Sequence, residues 1–207
     1  EMLPQFSRLE RPGWLIIERS AWRIYLGLFK KFAIANVVGL YAKEVFAEPS
    51  AYHGFVIVLA VIFGRYFIYA DFSGYTDIAL GSARLLGLQL PENFRRPFAS
   101  PSIAEYWRRW HITLSSWIRD YVFFPLASSP LAKGGVYPLV LLTFLLLGAW
   151  HGLSWNFLLY GLWHGLFLVL YELTRSIRLR LWKKMGMSEG LVPNWLFCWA
   201  TFLFLIC

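Results

Sequence analysis

The chain has 207 residues, of which 58% are hydrophobic, 19% aromatic and only 15% charged, with a mean hydropathy of +0.50. That is more apolar surface than a water-soluble domain of this size can cover, so lipid is the expected solvent and no polar stretch is long enough for a separate soluble domain. The net charge of +8 points to cytoplasmic membrane loops and away from nucleic acid, because the cations cluster at Arg8 to Arg23, Arg84 to Arg119 and Arg175 to Lys184 while the runs between are nearly uncharged.

Residues 1–207 read as a single helical membrane unit. The chain opens at Glu1 without a signal-peptide pattern and stops at Cys207 inside the apolar run FCWATFLFLIC, so it is expected to be cut from a longer protein at both ends. Residues 22 to 42 are apolar enough for a helix, yet Lys30 and Lys31 in the middle favour a tilted or interfacial path over a clean span. Residues 52 to 70 are the best span of the first half. The continuation DFSGYTDIALGSARLLGLQL is polar and rich in small residues, so it is expected to be flexible and to lie against protein or a water-filled cavity, with Asp71 and Asp77 paired to Arg65 or Arg84.

Pro91, Pro97 and Pro101 punctuate a loop. Ser102 then reads as an N-cap, with Glu105 completing a capping box. From there Trp107, Trp110, Leu114, Trp117 and Tyr121 recur at three- and four-residue spacing, which predicts one amphipathic helix with His111 on its apolar stripe and Glu105 and Arg109 paired on the other side. Residues 136 to 150 and 154 to 171 form two apolar runs separated by HGLS, followed by the basic stretch 174 to 184 and another run from Trp195. The first is short for a crossing, which predicts a kinked or re-entrant path. Cys198 and Cys207 share one run and give neither a disulfide framework nor a metal quartet.

Three of the four histidines follow a tryptophan, in RWH, AWH and LWH. None has metal-ligand spacing, so no zinc site is expected. A neutral imidazole in an apolar cavity suits general-base work on a hydroxyl. GAWHG at 148 to 152 and GLWHG at 161 to 165 are equally explained by glycines four apart that let helices approach closely. His151 and His164 stand thirteen residues apart, roughly 220° round a continuous helix, and would not share a face. Ser115 and Ser116 lack a nucleophile-elbow setting, and Arg108, Arg109 and Arg119 read first as juxtamembrane cations.

The runs DFSGYTDIALGSARLLGLQLP, PENFRRPFASPSIAEYWRRWHITLSSWIRDYVFFPL and LLLGAWHGLSWNFLLYGLWHG resemble the membrane-bound O-acyltransferases. The likeness is to the bacterial branch that handles alginate O-acetylation and D-alanyl transfer to teichoic acids. It implies an all-α, multi-pass transmembrane helical bundle whose tilted and re-entrant helices form a funnel, in the inner or plasma membrane. It also implies a transferase moving an acyl group, acetyl in the first instance, onto a hydroxyl of a cell-surface polysaccharide or a partner in its modification. His151 is then implied as the general base and His111 as a second site residue for positioning or proton handling, with His164 structural. No bound cofactor is implied. The acyl donor is a substrate, acetyl-CoA or an acyl carrier thioester, and the implied partners are membrane lipid, the polysaccharide acceptor and an extracytoplasmic acetyl-handling protein. D-alanyl transfer is the near alternative. A transporter or channel, in which Arg65, Asp71 and Asp77 line a path and the WHG segments only pack helices, is the competitor from another class.

Overall fold

The computed structural model describes residues 3–7, 9 and 11–184. Every regular element among them is helical: α1 (Leu3–Phe6), α2 (Trp14–Phe29), α3 (Asn36–Ala47), α4 (Phe55–Leu85), α5 (Ile103–Arg109), α6 (Ile112–Ile118), α7 (Phe124–Ala127), α8 (Val136–His151), α9 (Trp155–Leu173) and α10 (Arg175–Lys184). The run from Trp195, with Cys198 and Cys207, lies outside the described residues. The chain divides into a first unit up to Asn93 and a second from Phe94.

In the first unit α2 and α3 are joined through Lys30–Ala35, one turn of wider π-helix, into a single rod Trp14–Ala47 of 34 residues. This rod and α4 are each long and apolar enough to cross a membrane. At about 1.5 Å per residue α4 is about 46 Å long against a hydrocarbon core of about 30 Å, so it must tilt or project beyond the core. Its polar half, expected to be flexible, is regular helix instead. The small residues explain why: a methyl on Gly27 would stand 2.6 Å from the carbonyl oxygen of Gly74, and one on Gly81 would stand 2.9 Å from that of Ser20. Small side chains here let two helix backbones meet, and do not loosen either.

The carboxylates find partners other than those expected. Asp77 accepts from Arg23 Nε at 3.0 Å and from Lys30 Nζ at 2.6 Å, Arg23 Nη1 donates to Glu92 at 2.6 Å, and Lys31 pairs with Asp71. Lys30 and Lys31 thus do not interrupt the helical rod. They open its π-helical turn and are satisfied from α4, which is how cations at membrane depth are tolerated.

In the second unit the predicted single helix after Ser102 is broken. The cap is present, with Ser102 Oγ accepting from the Glu105 N–H at 3.1 Å, but the Glu105 carboxylate accepts from Arg109 Nε at 2.9 Å and so leaves the reciprocal half of the box unmade. α5 stops at Arg109, Trp110 is extended, and His111 sits in the left-handed region at φ 43 as the N-cap of α6. A second π-helical turn, Arg119–Phe123, leads from α6 into α7. The apolar periodicity was continuous, but periodicity reports a buried face and not hydrogen-bond continuity.

α8 and α9 form the antiparallel hairpin that the two apolar runs predict. A methyl on Gly148 would collide with the carbonyl oxygen of Phe157, one on Gly161 with that of Phe144, and one on Gly165 would stand 2.9 Å from Phe144 Cβ. As the position on α8 falls, its partner on α9 rises, and Gly148 and Gly161 face each other. The first glycine of each WHG segment is therefore fully accounted for by close backbone approach.

Candidate active site

The hairpin turn brings the histidines together. α8 ends at His151, Gly152 carries the chain out in an extended conformation, and α9 begins at Trp155. The helix is therefore not continuous between the two WHG segments, and the rotation that would separate His151 from His164 does not apply. Tyr160, one turn before His164 in α9, lies 4.5 Å from the His164 ring and 6.1 Å from the His151 ring, centroid to centroid. Phe157 stacks on His151 at 5.8 Å with 22° between planes.

His111 reaches the same cluster from the other direction. Its ring meets Trp150 edge-on at 6.4 Å, and Trp150 meets His151 at 4.9 Å. Trp107, on α5, closes the arrangement against His164 at 5.2 Å. The three histidines are thus linked through the rings of Trp150 and Tyr160, with His111 half-buried, His151 exposed and His164 only 2% exposed. The His111 backbone is held by its own side chain, whose Nδ1 accepts from the Leu114 N–H at 3.3 Å. That bond fixes the ring's orientation and directs Nε2 away from the helix end. Burial pushes the His111 imidazole below its ordinary pKa; its own backbone hydrogen bond opposes this, and the nearby His151 adds to it.

A cavity of about 380 Å³ adjoins this cluster within the second unit, walled by Trp107, Ser115, Ser116, Thr143 and Phe144 among others. His111, His151 and His164 are outside its wall; Ile112, next to His111, is in it. Ser115 Oγ donates to the Trp110 carbonyl at 3.1 Å, and Thr143 Oγ1 to the Leu139 carbonyl at 2.7 Å. Both hydroxyls are engaged with backbone, as mid-helix Ser and Thr usually are, and neither is poised as a nucleophile. Arg108 pairs with Glu105 and Arg119 with Asp120 at the edge of the chamber.

The sequence singled out His111 and His151 and gave Trp150, which lies between them, only as part of a repeated Trp-His pair; Tyr160, between His151 and His164, went unmarked. The signal for Tyr160 was available: it stands four residues before His164, the spacing at which side chains meet on one helix face.

The sequence matches the membrane-bound O-acyltransferase family over residues 4–207. The chain belongs to that family. Among curated relatives it is similar to a probable alginate O-acetylase of Pseudomonas syringae pv. tomato, 41% identical over 64% of this chain and 26% of the relative. It is similar also to a peptidoglycan O-acetyltransferase of Helicobacter pylori, 34% identical over 75% of this chain and 30% of the relative. A teichoic acid D-alanyltransferase of Bacillus subtilis is 33% identical over 72% of this chain and 41% of the relative. The chain spans about a quarter of the length of the alginate O-acetylases that it matches. Family membership agrees with the three membrane-length helices, Trp14–Ala47, Phe55–Leu85 and Trp155–Leu173.

Proposed function

We propose that the protein to which this chain belongs is an O-acyltransferase of the inner or plasma membrane that moves acetyl from a thioester to a hydroxyl of a cell-surface polysaccharide. His151 is the general base and His111 the second site residue. The observation that carries this reading is the convergence of His111 and His151 on Trp150 from separate segments of the chain. In the reaction the acceptor hydroxyl attacks the thioester carbonyl while the His151 imidazole takes its proton; the C–O bond forms, the C–S bond breaks, and the imidazolium returns the proton to the departing sulfur. α8 has 16 residues, about 24 Å at 1.5 Å per residue against a hydrocarbon core of about 30 Å. A helix that short supports His151 ending inside the membrane's thickness, where water is scarce and a neutral imidazole is the stable form.

The polysaccharide acceptor rests on the alginate and peptidoglycan O-acetyltransferases among the relatives. The donor is acetyl-CoA or an acyl carrier thioester, and an extracytoplasmic acetyl-handling protein completes the pathway. Teichoic acid D-alanyltransferases among the relatives keep D-alanyl transfer as the second reading. The transporter reading loses support because Asp71 and Asp77, the acids that would line its path, are both ion-paired inside the first unit.

His151→Ala in the full-length protein decides between transfer and transport. Acetyl incorporation into membrane-associated polysaccharide is expected to fall by about 10²- to 10⁴-fold with the thermal unfolding profile retained. Incorporation at the unmodified level would remove His151 from the chemistry and the reading with it.

A further inference from the structure

The first unit holds a second cavity, of about 370 Å³, whose wall includes Arg11, Arg19 and Arg84 together with Pro12, Ile16 and Leu88, and no acidic side chain. Three other cations of this unit are neutralised, and Lys43 lies over the Phe67 ring. Arg23, Lys30 and Lys31 each meet a carboxylate, whereas among the described residues Arg11, Arg19 and Arg84 have no ion-pair partner. They are also brought together by the fold and not by sequence: Arg11 precedes α2, Arg19 lies in its second turn, and Arg84 lies in the last turn of α4. Gly87, at φ 78, turns the chain back after α4 so that Leu88 completes the wall.

These three arginines stand where both membrane-length rods of the unit have one of their ends; each rod is longer than the hydrocarbon core of about 30 Å, so the end of a rod that crosses it emerges among the headgroups. Trp14, 78% exposed beside Arg11, fits an aromatic side chain at the membrane interface. Like charges gathered in one cleft repel unless an anion lies between them. The guanidinium fork pairs with phosphate oxygens at two points, while Pro12, Ile16 and Leu88 offer an apolar floor that a lipid's glycerol and first methylenes would cover and a free ion would not. We infer that this cleft is a binding site for the phosphate of an anionic membrane phospholipid. Nothing in the transfer chemistry requires it, and the site stands or falls independently of His151.

The test uses full-length protein in phosphatidylcholine nanodiscs doped with phosphatidylglycerol, with retained phosphatidylglycerol counted by native mass spectrometry after release. R19Q/R84Q is expected to weaken retention by about fivefold for each arginine removed, while R175Q/R180Q, which removes two exposed cations of α10, leaves it unchanged. Arg11→Gln, outside any helix, is the variant to use if the double substitution fails to fold, with about a fivefold loss expected alone. Equal losses in the α10 control would reduce the effect to diffuse surface charge and overturn the site. So would displacement of phosphatidylglycerol by millimolar inorganic phosphate with no preference for the lipid.

Discussion

His111 occupies a backbone conformation that a side chain normally avoids, and it does so beside the group proposed to accept a proton. A non-glycine residue at positive φ costs on the order of 1 kcal/mol or more, and here part of that cost is offset by the Nδ1 bond that caps α6. The two terms separate by substitution. His111→Gly relaxes the backbone and is expected to unfold at a higher temperature than His111→Ala, by an amount corresponding to about 1 kcal/mol, although both lose the imidazole. The reverse order in a detergent thermal melt would show that the strain is not significant. The imidazole's acidity is a second test. Burial favours its neutral form, so the folded protein binds the proton more weakly than a free chain does, and the neutral ring persists to lower pH. The acidic limb of transfer, or the His111 signal in an NMR titration, should therefore fall below the ordinary imidazole range, and a midpoint above that range would contradict the burial seen here. That both histidines belonged to one neighbourhood was not legible from spacing, because the aromatic periodicity ran through His111 as one helix and nothing in it placed that segment against the hairpin end at His151. Their assignment to one site came from the family likeness alone.

Among the elements, the α8–α9 hairpin is where sequence signal and structure coincide most closely. The two apolar runs, the short HGLS connection and the glycine frame each pointed to closely packed helices, and the close approach at Gly148 and Gly161 follows. Gly161→Val should be among the most damaging single changes in the second unit, since its side chain meets a backbone carbonyl that cannot rotate away. A loss of about 2–3 kcal/mol is expected, read as a lowered unfolding midpoint. Gly152→Ala meets only the Phe157 ring, which can shift, and should cost distinctly less. Equal effects of the two would indicate that the helices are not held by backbone contact. α5 and α6 were the less legible elements. Their aromatic stripe ran straight through the break, which extended Trp110 and left-handed His111 make together and which periodicity does not reveal.

At the scale of the molecule, lipid as solvent was written in the composition, and the three membrane-length helices follow from it. What composition hid was the neutralisation of charge. Lys30 and Lys31 read as obstacles to a span because their partners lie 47 and 40 residues away on α4. Asp77 is the more enclosed of the two acids, its side chain 16% exposed against 41% for Asp71, and it serves two cations. Asp77→Asn should cost about 3 kcal/mol by stranding Lys30 and leaving Arg23 with Glu92 alone, whereas Asp71→Asn should cost less than about 1 kcal/mol; detergent unfolding of both variants checks the ranking, which fails if they melt together. The wide turn at Lys30–Ala35 carries a final consequence. An α-helix advances its side chains by about 100° per residue, and the wide turn takes up its surplus residue within nearly the same rotation, so it acts as a slack loop between the rod's two halves. Excising a single amino acid there would restore regular coiling and leave Gly39 against the Phe67 ring that fills its notch, whereas the same excision just after the bulge, in the regular coil before Gly39, would swing that glycine away by about a quarter of a revolution.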